Sequence, residues 1–218
     1  MHGVIFDMDG VLCDSEPFIC AAACRMFAET YNKQVHPEDF VPFVGAGEDR
    51  YLGGVAEKHG IKLSMPRDKD RTYAIYLEII RGRLTALPGV HEFIDWCRAH
   101  NVRTAVASSA DRIKVDGNLR EIGVPPDSFD ACVSGSDITN KKPAPDIFLK
   151  AAELIQIPAG KCIVVEDAVN GIQAGRAAGA RCLGLTTSFD AETLSAAGAH
   201  WTAPHLGALS EDVYKYLV

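Results

Sequence analysis

The sequence predicts an α/β fold in which a doubly wound parallel sheet carries an α-helical insertion after its first strand. Three observations predict it. Short, almost uninterrupted apolar runs alternate with longer amphipathic stretches, the pattern of strands buried on both faces and joined by crossover helices. The alternation stops between Asp14 and Leu87, where no run reads as a strand. It resumes after Leu87-Pro88-Gly89, a turn-forming triplet.

In order, Gly3 to Met8 (GVIFDM) reads as a buried strand ending in acid and glycine. Ser15 reads as the cap of a helix running to about Tyr31, with Pro17 tolerated in its first turn. Helical patterns follow at Glu48 to His59 and Pro66 to Arg83. Beyond Gly89 the chain alternates: helix Val90 to His100, strand Val102 to Ala107, helix Asp111 to Ile122, strand Ala131 to Val133. Helix Asp146 to Ile155, strand Cys162 to Val165, helix Ala168 to Ala178 and strand Arg181 to Leu185 continue it, and Leu206 to Leu217 reads as a closing helix. Residues 1–14 and 88–218 are thus expected to form the α/β core, and 15–87 a helical cap. No internal repeat or low-complexity tract interrupts this.

A length of 218 residues suits one large domain or a core with an insertion. At 47% hydrophobic residues, burying a core is no obstacle. The net charge of −7 disfavours a general binder of nucleic acid or of membrane surfaces. It leaves room for an anionic substrate, because a metal ion and one or two lysines can make a local positive site. No apolar run is long enough to span a bilayer, so direct membrane insertion is not expected. Seven cysteines without a CxxC pair read as reduced, buried, intracellular thiols. The chain begins directly on a strand-like segment with no signal peptide, which fits a domain of a longer protein.

Open parallel sheets bind ligands beyond the carboxyl ends of their strands. The loops after Met8, Ala107, Val133 and Val165 should therefore converge. The first carries Asp7 and Asp9, two carboxylates pointing to one side, with Gly10 letting the chain turn away. Asp7 can attack phosphorus, while Asp9 can protonate the leaving oxygen and later take a proton from water. Ser108 and Ser109 can hold phosphate oxygens with hydroxyl and backbone N–H groups. Lys142, braced by Pro143 and Pro145, can offset phosphate charge, whereas Lys141 reads as a surface lysine. Glu166 and Asp167 close a buried strand, a costly place for acids unless they are paired or bound to a cation. With Asp7 they make a hard oxygen set suited to Mg²⁺. Each motif alone competes with a turn or helix-cap reading. Their joint occurrence at successive strand ends favours chemistry.

These pieces resemble the haloacid dehalogenase-like superfamily: FDMDGV with Asp7 and Asp9, VASSA with Ser108, KPAPDIF with Lys142, and VVEDAVNGIQAG with Glu166 and Asp167. The helical insertion is similar to that of the β-phosphoglucomutase and sugar-phosphatase branch. The resemblance implies a Rossmann-like core, an aspartyl-phosphate on Asp7, acid/base work by Asp9, and phosphate contacts from Ser108 and Lys142. It implies Mg²⁺ held by Asp7, the backbone carbonyl of Asp9, and Asp167, with Glu166 close by, and a small phosphorylated substrate. Similar mutases carry a histidine where this chain has Ile19, and an arginine in the cap loop where Gly45-Ala46-Gly47-Glu48-Asp49-Arg50 presents Glu48. A carboxylate there repels a distal phosphate, so hydrolysis is expected over mutase chemistry, unless Arg50 takes the arginine's place. Gly10, Ser109, Glu48 and Arg50 are the expected substrate contacts, with Phe43 and Tyr51 as further candidates for specificity. The stretches DFVPFVGAGEDRYLGGVA and VASSADRIKVDGNL are similar to the corresponding domain of a multidomain, membrane-anchored chloroplast protein of plants and algae. That likeness implies the chloroplast stroma and a larger membrane-anchored chain.

Overall fold

Four apolar segments that the chain keeps far apart lie side by side in one parallel sheet. In the computed structural model, which describes residues 1–44 and 47–218, the strands are β1 (Gly3–Phe6), β2 (Arg103–Ala107), β3 (Ala131–Val133), β4 (Cys162–Glu166), β5 (Arg181–Leu185) and β6 (Trp201–Ala203). Their order is β3-β2-β1-β4-β5-β6 and every pairing is parallel. The chain builds outward in both directions from β1, so the crevice of this doubly wound order opens at β1's carboxyl end, between β2 and β4.

Residue alternation along each strand feeds two cores. Val4 and Phe6 join one apolar cluster and Ile5 the other, as the twofold period of a strand requires. The first face is covered by α5 (Val90–Ala99) and α6 (Arg112–Glu121), the second by α7 (Asp146–Leu154) and α8 (Val169–Ala177). Burial on both faces explains why β1 and β4 contain no exposed residue.

Among the described residues between β1 and α5 the named elements are all helical: α1 (Glu16–Tyr31), α2 (Pro37–Phe40), α3 (Glu48–Lys58) and α4 (Met65–Ile80), with a 3₁₀ turn at Val41–Phe43. Ala22, Ala23, Met26 and Phe27 of α1 and Tyr73 and Tyr76 of α4 share an apolar cluster with Phe6 and Phe93 of the sheet side. The chain leaves and re-enters the core through one doorway, since Leu87 N–H donates to the Leu12 carbonyl at 2.9 Å and Cys13 bridges Ala86. No helix among the described residues is long and apolar enough to cross a membrane. All seven cysteines are free. Trp96 stacks between Phe93 and His100 with centroids 6.0 and 4.2 Å away.

The structure departs from sequence expectation in three places. Nothing was read between Thr186 and His205, yet α9 (Ala191–Ala197) and the edge strand β6 lie there. Asp190 caps α9 by accepting from Thr193 N–H at 2.7 Å, and β6 is three residues long, too short for a period-two signal. The closing helix splits: Leu206–Ala208 form a 3₁₀ turn and α10 spans Glu211–Leu217. Ser15 occupies the N-cap of α1 without a side-chain cap bond. Its hydroxyl is drawn instead to Asp9, a tertiary partner stronger than a neutral cap because it is charged.

Candidate active site

The first strand ends by delivering its acid to the neighbouring strand's acids. Asp7 N–H donates to the Val165 carbonyl at 2.9 Å, extending the β1–β4 ladder by one residue. That register sets Asp7 beside Glu166 and Asp167, and carboxylate oxygens of all three lie within 4.8 Å of one another. Gly10, at φ +74°, turns the chain away. A Cβ there would sit 1.9 Å from Asp167 Oδ2, so the turn needs glycine for space as well as for backbone conformation. The Gly10 carbonyl accepts from the Thr187 hydroxyl at 2.6 Å, which places Gly10 as a spacer against Asp167.

Lys142 enters from the loop before α7. Its ammonium, 6% exposed, lies 2.5 Å from Asp7 Oδ1 and 2.6 Å from Glu166 Oε1, and 3.4 Å from the Ala107 carbonyl. Burial opposes its charge, but Asp7 and Glu166 outweigh that and hold its pKa above the ordinary lysine value. Glu166 is fully engaged: its other oxygen accepts the N–H groups of Asp167 and Ala168, each at 3.0 Å, at the start of α8. Gly171 leaves room for it, since a Cβ there would meet Glu166 Oε1 at 1.9 Å. Ser108, buried, donates its N–H to Val133 and accepts Ala110 N–H at 3.2 Å. It follows Ala107 directly, so it borders the lysine, and Ser109 is half-buried beside it.

Three carboxylates against one ammonium leave the cluster electron-rich. Burial, then Glu166 and Asp167 against the opposing pull of Lys142, pushes Asp7 well above the usual carboxylate range. Burial first and Glu166 second push Asp167 up to about 7. Such a set of close, buried, hard oxygens fits a divalent cation of the Mg²⁺ type. An acid whose folded pKa exceeds its unfolded value costs stability above the folded pKa, and the cost fades as pH falls toward the unfolded value. In EDTA, thermal stability should therefore decline as pH rises from about 4 to 7, and Asp167→Asn should flatten that decline. At pH 8, Mg²⁺ held by this set at about 100 times its Kd should add about 2.7 kcal/mol, or roughly 5–10 °C for a chain of this length. Differential scanning fluorimetry should show the gain in the wild type and little of it in Asp167→Asn.

A family model described as haloacid dehalogenase-like hydrolase matches residues 1–179. The chain belongs to the haloacid dehalogenase-like hydrolases. It is 43% identical over 96% of its length to Protein SUPPRESSOR OF QUENCHING 1, chloroplastic, of Arabidopsis thaliana, and spans 20% of that protein. It is 32% identical to a phosphorylated carbohydrates phosphatase of Thermotoga maritima, over 91% of this chain and 92% of the relative. Among solved structures, a putative beta-phosphoglucomutase from Thermotoga maritima superposes with a TM-score of 0.78 at 30% identity, covering 100% of both chains.

Within this haloacid dehalogenase-like frame, the structure brings together Asp7, Lys142, Glu166 and Asp167, with Ser108 at their edge. Asp9 stands one step aside, its carboxylate held by Ser15 and by Lys114 at 3.0 Å. In the cap, Glu48 opens α3 beside Tyr73, near Lys114 and Asp111 of the core. Burial raises its pKa. Arg50 does not join the site: its guanidinium pairs with Glu57 at 2.9 Å and covers the Phe43 ring at 4.9 Å. An aromatic face and a carboxylate two helical turns further on outcompete a distant ligand for it. Tyr51 donates to Glu16 at 2.8 Å and Ile19 is buried, so both serve packing within the cap. Gly45 and Ala46 of the expected cap loop lie outside the described residues. Lys141, expected at the surface, is exposed, though its ammonium donates to the Gly135 carbonyl at 2.5 Å.

Sequence reasoning missed Ser188, whose hydroxyl donates to Asp167, along with Thr187, Ser15 and Lys114. A run of hydroxyls (Thr186-Thr187-Ser188) just past a buried strand was the available signal for the first two.

Proposed function

We propose that this chain is a Mg²⁺-dependent phosphatase acting on a small phosphorylated metabolite through an aspartyl-phosphate on Asp7. The observation that carries the proposal is the buried Lys142 ammonium against Asp7, with the Asp167 carboxylate within 4.8 Å of the Asp7 carboxylate. That arrangement supports Asp7 as the nucleophile, because a phosphoryl group bound beside it would meet positive charge from Lys142 and from a metal ion. Asp7, Asp167 and the Asp9 backbone carbonyl would hold the metal, with Glu166 bracing Lys142. Bound there, the metal would supply charge neutralisation and alignment of the phosphoryl oxygens. In the first step an Asp7 oxygen bonds to phosphorus as the bond to the leaving oxygen breaks, and Asp9 gives that oxygen a proton. In the second, water bonds to phosphorus and gives a proton to Asp9, and the Asp7–phosphorus link breaks. Ser108 and Ser109 contact the phosphoryl oxygens and Gly10 keeps the turn open.

We assign residues 15–87 as the cap and 1–14 with 88–218 as the core, with Glu48 the cap residue that meets substrate. Glu48 favours hydroxyl groups over a second phosphate, which separates this reading from a mutase. Kinship with a chloroplast protein of which this chain spans 20% supports a domain of a larger chloroplast protein. The test is a panel of sugar and small-metabolite phosphates, read by phosphate release with Mg²⁺ and again with EDTA. Release that needs Mg²⁺ is expected. Interconversion of isomers with little release would assign a mutase, and no turnover across the panel would assign a binding module.

A further inference from the structure

Helix α6 is built against its own amphipathic logic. It exposes Ile113 (47%) while burying Lys114 (4%) and Asn118 (0%). A helix that turns a lysine inward and an isoleucine outward gives up hydrophobic burial and takes on the desolvation of a charge. Such a local violation is expected where function requires it.

What Lys114 meets explains the cost. Its Nζ lies 3.0 Å from Asp9 Oδ2. The charges of Glu48 and Glu16 act on the same ammonium at longer range. The other Asp9 oxygen, Oδ1, accepts the Ser15 N–H at 3.3 Å and the Ser15 hydroxyl. Asp9 is therefore gripped at both oxygens, from the core helix on one side and the start of the cap on the other. Asn118, one turn along α6, accepts from the Tyr76 hydroxyl and donates toward Cys13 Sγ at 3.7 Å. Those bonds tie the helix to the doorway segment and to α4, so the ammonium stands on a braced support.

We propose that Lys114 is a positioning residue for Asp9, setting the placement of the carboxyl group that serves the leaving oxygen and then water. The inference rests on reading Asp9 as the general acid and base. An ammonium has donors and no acceptor, so Lys114 always presents the same face to Oδ2, and rotation of the carboxyl group breaks a charged contact. Glu16 and Glu48, whose charges also act on this ammonium, lie on α1 and α3, so the field at Lys114 depends on how those helices sit against the core.

The test compares two substrates that differ in their need for a proton. Loss of p-nitrophenolate needs little acid assistance, whereas an alkyl phosphate such as glycerol 3-phosphate needs it fully. General acid–base groups contribute about 10²–10⁴-fold, so a misplaced Asp9 in Lys114→Met should lower kcat/KM about 10–100-fold for the alkyl phosphate and within about threefold for the aryl one. Lys114→Met added to Asp9→Asn should cost nothing further, because the positioned group is already gone. An equal loss on both substrates, or additive losses in the double variant, would overturn the proposal. Where Lys114→Met does not fold, Lys114→Gln, which keeps a donor and drops the charge, is read in the same way. A wild-type protein inactive on both substrates and across the metabolite panel would sink the phosphatase reading alone. A crystal structure of the Lys114 variant still decides this one: a displaced Asp9 carboxylate supports it and an unmoved one overturns it.

Discussion

Replacing Asp7 by asparagine is expected to lower turnover on the order of 10⁶-fold, the scale seen when a covalent nucleophile is removed, while leaving the fold intact. An amide oxygen is a poor nucleophile toward phosphorus and carries no charge to face a metal. The fold survives for electrostatic reasons. Asp7 is one of three clustered carboxylates, and burial already disfavours its ionised form. Its loss removes a repulsive partner from Asp167, while Lys142 keeps Glu166 at 2.6 Å. The melting temperature in EDTA should therefore equal or exceed that of the wild type. Intact mass spectrometry during turnover of a slow substrate should show a phosphoryl adduct in the wild type and none in Asp7→Asn. Retained turnover, or an adduct in the variant, would displace Asp7 as the nucleophile.

Lys142→Met is expected to produce the opposite pairing of effects, because it strikes stability as well as chemistry. The ammonium answers Asp7 and Glu166 where both are buried. Removing one partner of a buried ion pair costs about 3–5 kcal/mol, a drop on the order of 10 °C or more for a chain of this size. The sign with pH follows. Without Lys142 the raised Asp7 and Asp167 carboxyls move still further above their unfolded pKa values, so the penalty is full at high pH and shrinks as pH falls and they take up protons. The variant should lose most at pH 8 and least near pH 5, and Mg²⁺ should return part of the loss by supplying the missing positive charge. Melting curves at both pH values, with and without Mg²⁺, check all three statements. A loss independent of pH and metal would mean that Lys142 matters more through its place over the Phe148 ring, whose centroid lies 4.9 Å from Nζ, than through the carboxylates.

How legible these groups were depends on where their partners lie in the chain. Asp7, Glu166 and Asp167 were readable because each sits at or just past the end of an apolar run. In a parallel sheet, strand ends that share a direction share an edge. Lys142 was readable from its prolines and the helix that follows. Lys114 was not: it occupies an ordinary helical position, and its partner Asp9 is 105 residues away. Ser15 gave a false signal of a related kind. Its residue type suits a cap, but a carboxylate brought near by the doorway turn wins its hydroxyl. Arg50 was misjudged because charge and proximity in sequence do not say which way a long side chain points, and Glu57 with the Phe43 ring held it locally.

By itself, the sequence determined the sheet, the insertion, and the acids and lysine of the four motifs. Period, turn residues and strand ends are local properties, and a parallel sheet converts them into a shared site without further information. Only the tertiary structure decided which hydroxyls grip Asp9 and Asp167, which cap residue turns inward, and that α6 buries a lysine. Those outcomes are competitions for a charged or polar partner, and the winner is set by distances across the fold that no stretch of chain encodes alone.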